Sequence, residues 1–111
     1  MEIKRFEHIS ERHKTSYLSC GPVDAQPIIM LHGWPDLSIG WEEQLKFFSA
    51  QGYHAIAPDM RGYGSSSIPE NHSDYCMKEI VGDMIELLSS LGHKEAIWVG
   101  HDWGSPVVWN I

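Results

Sequence analysis

Three short apolar runs alternating with segments of helical periodicity predict an α/β fold, a mostly parallel sheet with an antiparallel start. The runs are Pro27–Leu31 (PIIML), Tyr53–Pro58 (YHAIAP) and Ala96–Val99 (AIWV). Strands covered by helices on both faces carry such unbroken apolar stretches, whereas a strand with one wet face alternates. RFEHIS and KTSYLSC do alternate, so they predict two antiparallel strands that end in a turn at Gly21-Pro22.

Between the runs lie the helices. Trp41, Leu45 and Phe48 recur at helical spacing, with Glu42 and Glu43 at the start and Gly52 just past the end. Those are the places the helix dipole and a glycine C-cap favour. The longest periodic segment is Tyr75–Leu91. Met77, Ile80, Val81, Met84, Ile85 and Leu88 are predicted to share its buried face, and Gly92 closes it. HGWPDLSIG and DMRGYGSSSIPE read as loops. Strands and helices in this order imply βαβ units with right-handed crossovers.

After AIWV the chain turns through Gly100–Gly104, and Pro106, Val107, Val108, Trp109 and Ile111 begin a helix with Pro in its first turn. That helix stops within about two turns, without a cap or polar tail. AIWV, whose composition suits a central strand, is left on a sheet edge. Both features are expected of the N-terminal part of a larger domain.

Composition narrows the function. At 111 residues, 42% hydrophobic and 21% charged, the chain has room for one domain with a modest core. Its net charge is −7 and its eight Lys and Arg are scattered, which argues against nucleic acid or an anionic membrane surface as partner. No stretch approaches the length of a membrane span, and MEIKRFEHISERHK has no signal-peptide core. Cys20 and Cys76 are isolated, so reduced thiols in a cytoplasmic protein are expected. The sequon Asn71-His72-Ser73 carries little weight without a secretory route. No histidines are paired at metal-ligand spacing, so no metal or other cofactor is expected, and most of the seven are placed at the surface.

Two loops carry the chemistry. Gly100-His101-Asp102-Trp103-Gly104 has the form small-x-nucleophile-x-small between a buried strand and a helix start. Glycines at both ends permit a sharp turn that lifts the central side chain above the sheet. Asp102 as a plain helix cap is the competing reading, but a cap needs no flanking glycines. His32-Gly33-Trp34-Pro35 follows PIIML directly and on its own reads as a turn punctuated by Gly and Pro. Two such loops, each after an apolar strand, are harder to dismiss than either alone.

HGWPD, DMRGYGSSS and GHDWGS together resemble the α/β-hydrolase family, specifically its soluble epoxide hydrolase branch, from about Glu7 to the last residue. The resemblance implies that residues 1–111 are an incomplete α/β-hydrolase core domain, cut just after the nucleophile elbow, with the cap domain and C-terminal half absent. It implies Asp102 as nucleophile on an elbow built by Gly100, His101 and Gly104. The backbone N–H groups of Trp34 and Trp103 would form the oxyanion hole, on a loop of His32, Gly33 and Pro35 with Trp34–Pro35 cis. The catalytic His, its acid and two cap tyrosines would follow residue 111, so the fragment alone is expected to be inactive. Tyr17, Tyr53, Tyr63 and Tyr75 are set aside as outside that cap.

Aspartate at the elbow has its own logic. A carboxylate, with a reference pKa of about 3.9, is ionised without a base and can attack saturated carbon to give an ester that water can cleave. A serine there would give an ether. The substrate implied is therefore a small epoxide, plus water, and the missing part of the same protein is the expected partner. A haloalkane dehalogenase shares Asp-Trp, but such enzymes usually place Asn or Glu where Trp34 stands; fluoroacetate dehalogenases tend to carry Arg in place of Trp103. A non-catalytic truncated protein acting as an interaction module is the third reading. The G-x-G of RGYGSSS lacks its third glycine and helix start, so dinucleotide binding is rejected.

Overall fold

The computed structural model describes residues 2–111. Five strands form one mixed sheet in the order β1 (Lys4–Ile9), β2 (Lys14–Cys20), β4 (His54–Pro58), β3 (Pro27–Leu31), β5 (Ile97–Gly100). Strands β4, β3 and β5 run parallel. The antiparallel start extends further than the β1–β2 hairpin, because β2 also pairs antiparallel with β4.

The apolar run of β3 is buried at all five positions, as a strand covered on both faces requires. Its side chains alternate. Ile28 and Met30 join Leu18, Cys20, Ala55, Ala57 and Leu45 of α1 (Glu42–Ala50) on one face. Ile29 and Leu31 join Ile56, Met84, Leu87 and Leu88 of α2 (Met77–Ser90) and Val107 of α3 (Gly104–Trp109) on the other. Each Leu, Ile, Val or Met side chain among them contributes about 1.5–3 kcal/mol on burial. β5 lies at the edge, as expected from the sequence, and is only half-buried.

Two details of α2 differ from the periodic reading. Tyr75 belongs to a short 3-10 turn, His72–Tyr75, because Cys76 is extended and starts the helix after it. Ile85 is 46% exposed while Leu87 is fully buried. Met77, Ile80, Val81, Met84 and Leu88 pack on the core as predicted, and the buried stripe widens toward Leu87 and Leu91, leaving Ile85 outside.

Asp83, one turn before Leu87 on that added side, is buried too. Its carboxylate accepts from Arg61 Nε at 2.9 Å and Nη2 at 2.8 Å, and from Arg12 Nη2 at 2.6 Å. Arg12 also reaches Glu79 and Glu86, so the hub clamps the β1–β2 hairpin and the loop after β4 onto α2. Asp59, also buried, takes Arg5 Nη1 at 2.9 Å and the Ser38 amide at 2.9 Å. The DMRGYGSSS loop is thus built as a structural clamp. Three of the seven histidines, His13, His32 and His54, are buried; the expectation of mostly surface histidines missed them because each partner is distant in sequence.

Candidate active site

The site forms where the C-terminal ends of β3 and β5 meet. The His101 amide donates to Leu31 O at 3.1 Å, which locks the turn after β5 against the end of β3. Asp102 sits at the apex with φ +55°, in the left-handed region, where a non-glycine residue costs about 1–2 kcal/mol. The glycines around it are demanded by contact. A Cβ on Gly104 would overlap Leu31 O and lie 2.8 Å from that carbonyl carbon, while one on Gly100 would lie 2.6 Å from Gly104 O. A Cβ on Gly33 would overlap the Asp102 side chain and lie 2.7 Å from His101 O. The two loops are therefore pressed together without room for a methyl group.

This packing brings Trp34 and Asp102 together across 68 residues: the Trp34 N–H donates to Asp102 Oδ2 at 3.0 Å. The Trp103 N–H, next along the chain, lies near enough to the carboxylate to favour its charged form. Those two amides, Trp34 first, hold the Asp102 carboxyl below the ordinary aspartate range, and nearby His101 adds to the effect. Asp102 is exposed and ionised, ready for a molecule arriving from solvent.

The remaining predicted residues fall around this pair. The Trp34–Pro35 bond is cis, and Asp36 N–H closes the turn on Gly33 O at 2.9 Å. His32 is buried beneath the loop, and His101 is exposed. The indoles of Trp34 and Trp103 stand in the open, each 66% exposed.

Sequence reasoning missed the wall of the site. A cavity of about 240 Å³ is lined by Met60, Tyr63, Tyr75, Met77, Ile80 and Val107, with Gly33 and Trp103 also in its lining. Tyr63 packs edge-on against His32 at 4.9 Å and Trp34 at 6.3 Å between ring centroids. Burial, and secondarily the charge of Asp102, push its pKa upward, so Tyr63 stays a neutral phenol beside the carboxylate. Tyr75 donates to Pro69 O at 2.6 Å. Tyr63 and Tyr75 therefore adjoin the site, although both had been set aside; the GYG spacing of the loop was the available signal. Among the described residues no group of three His, Cys, Asp or Glu is placed to hold a metal ion. Among the same residues no helix is long and apolar enough to cross a membrane.

Asp102 stands on a strand-to-helix elbow facing the Trp34 amide, and the sequence profile of the alpha/beta hydrolase fold family matches residues 26–111. The chain belongs to that family. Its relatives are specific. Epoxide hydrolase A of Mycobacterium tuberculosis is 43% identical over 93 residues, covering 84% of this chain and 29% of that protein. Epoxide hydrolase 3 of Siraitia grosvenorii is 39% identical over 106 residues, covering 95% and 34%. An epoxide hydrolase crystal structure from Vigna radiata superposes with a TM-score of 0.93 at 37% identity, covering 98% of this chain and 35% of that one. The chain spans about a third of the length of these relatives.

Proposed function

We propose that residues 1–111 are the N-terminal part of an epoxide hydrolase in which Asp102 opens the epoxide and the Trp34 and Trp103 amides form the oxyanion hole. The observation that carries this reading is the Trp34 N–H on Asp102 Oδ2 at 3.0 Å. In the first step the Oδ1 lone pair attacks one epoxide carbon, the ring C–O bond breaks, and the alkoxide takes a proton from water. The product is a hydroxyalkyl ester of Asp102. Oδ2 is now the ester carbonyl oxygen and already lies against the Trp34 amide, with the Trp103 amide nearby. When water attacks the carboxyl carbon, negative charge develops on Oδ2, and each donor lowers that barrier by about 3 kcal/mol. Collapse of the tetrahedral intermediate releases a diol and restores the carboxylate.

Hydrolysis of the ester needs a base. The reading assigns the water-activating histidine, the acid that orients it and the epoxide-polarising tyrosines to the part of the relatives this chain does not span. The 111-residue chain would then accumulate ester without turnover. The cavity walled by Met60, Tyr63, Tyr75 and Met77 would take the apolar substituent of the epoxide. The cytoplasm is the compartment inferred, where Cys20, buried against Ser49, and exposed Cys76 remain thiols.

The test is intact-mass analysis of the chain after incubation with styrene oxide. One covalent adduct on the Asp102 peptide is expected, absent in Asp102→Ala. No adduct on the folded wild type, or equal labelling of the alanine variant, refutes the nucleophile assignment. Chloride release from 1-chlorobutane without epoxide labelling would instead favour a dehalogenase.

A further inference from the structure

His32 lies beneath the oxyanion loop and touches neither Asp102 nor open solvent, yet both its ring nitrogens are engaged. The Met60 backbone N–H meets Nε2 at 2.9 Å. An amide N–H only donates, so Nε2 must present its lone pair. The ring proton is then on Nδ1, which stands 3.0 Å from Gly33 O and donates to it. Gly33 O belongs to the same peptide plane as the Trp34 N–H. That bond is trans, because the only cis peptide among the described residues is Trp34–Pro35. In a trans peptide the carbonyl and the N–H point in opposite directions. Holding Gly33 O down toward His32 therefore aims the Trp34 N–H away from the core, at Asp102 Oδ2.

We propose that His32, fixed as the neutral Nδ1–H tautomer, is a positioning residue that anchors the Gly33–Trp34 peptide to the end of β4 and thereby aims one oxyanion-hole donor at Asp102. The chain of links runs from Met60 N–H through the imidazole and the Gly33–Trp34 peptide to the carboxylate. Hydrogen bonds in such a series polarise one another, which strengthens the last donor. The Asp36 N–H also holds Gly33 O, but it belongs to the same small turn and moves with it, whereas His32 ties that turn to the sheet. The Tyr63 ring, edge-on at 4.9 Å, packs against the imidazole and limits its rotation. The inference rests on Asp102 as the nucleophile for its importance, but its test needs no epoxide.

The test uses NMR on the 111-residue chain. In the wild type, the His32 ring nitrogens should show a protonated Nδ1 and an unprotonated Nε2, a measurement that needs no variant. Two substitutions then separate the ring's two bonds. Asparagine places its amide nitrogen near the Nδ1 position, so His32→Asn keeps a donor for Gly33 O. Glutamine reaches the Nε2 position, so His32→Gln keeps an acceptor for Met60 and loses that donor. The Asp102 carboxyl titration and the Trp34 amide proton shift are expected to stay near wild type in H32N. In H32Q the titration moves up toward ordinary aspartate and the Trp34 amide proton moves upfield. A proton on Nε2 in the wild type overturns the proposal. So does any other ordering of the variants, including equal effects or none. Because neither readout involves labelling by epoxide, a failure here leaves the nucleophile assignment untouched, and the reverse also holds.

Discussion

Replacing Asp83 with Asn tests whether the buried ionic hub, remote from the nucleophile, holds the wall of the site together. The substitution keeps the side-chain volume and removes one charge. Arg61, itself buried, loses a bidentate partner at 2.8 and 2.9 Å. It keeps the Asp74 carbonyl at 2.9 Å and a half-exposed Glu79 carboxylate 3.9 Å away. The Asn amide also turns a donor toward a guanidinium that can only donate. Removing one member of a buried pair costs about 3–5 kcal/mol, and the remaining partners put this case at the lower end, about 3 kcal/mol. For a chain of this size, with a urea m-value of about 1–1.5 kcal/mol/M, the midpoint should fall by about 2–3 M. Arg12→Ala is the internal comparison. It also loses a bond to Asp83, at 2.6 Å, but the guanidinium is 36% exposed and Asp83 keeps both Arg61 bonds, so about 1 kcal/mol is expected. Urea unfolding followed by tryptophan fluorescence measures both. If D83N costs no more than R12A, the hub is not held by the buried Arg61 pair and the reasoning is wrong.

Gly104→Ala should cost at least about 2 kcal/mol, because the new methyl group would meet Leu31 and His32 backbone, which cannot swing aside as a side chain would. Gly82→Ala, in the middle of α2, should stabilise by roughly 0.5–1 kcal/mol; its Cβ meets nothing closer than the Arg12 guanidinium at 3.6 Å, and thermal unfolding distinguishes the two signs. Stability should fall with acid in two stages. Burial lowers the pKa values of His13 and His54, so the unfolded chain binds protons first as pH drops below about 6.5, and stability declines from there; His54→Gln should flatten that segment. Burial alone would raise the pKa of Asp59, but the Ser38 and Ser65 amides, the Ser38 hydroxyl and Arg5 overcome it and leave the group depressed. Its contribution is present above the ordinary carboxylate range and is lost as pH falls through the folded value, a loss that Asp59→Asn should remove from the pH profile.

What could be read from sequence was whatever is local or periodic. β3 was placed at its observed bounds because five consecutive apolar residues between turns admit one structure in an α/β frame. The elbow and the HGWP loop are each legible as a contiguous motif, although Gly33 and Gly104 are demanded by contacts between the two loops. The hub was invisible. Arg12 and Asp83 are 71 residues apart, and nothing near either one signals the other. The burial of Asp83 goes with the Leu87 edge of the apolar stripe, where the periodic reading has Ile85 instead. The place of Tyr63 and Tyr75 in the cavity wall is hidden for a similar reason. Their side chains reach the cavity only once the loop after β4 folds back over α2.

The resting geometry contains a tension that bears on mechanism. The bonded Trp34 amide and the nearby Trp103 amide stabilise the charge of the Asp102 carboxylate, which lowers its basicity and, all else equal, its power as a nucleophile. A site shaped only for attack would leave the carboxylate less well solvated. The donors are already in place before any substrate arrives, so they must act on a later species to be worth their effect on the first. Of the two proposed steps, only ester hydrolysis builds new negative charge on Oδ2, the oxygen that Trp34 N–H meets at 3.0 Å. There the same bond strengthens as the carbonyl oxygen becomes an oxyanion, and no loop has to move to meet it. The locked His32, the glycine-tight contact at Gly33 and the strained backbone of Asp102 are all devices for fixing that one oxygen. On the proposed mechanism the rigidity of this corner of the fold is explained by the second half of the reaction, although the residue it displays would perform the first.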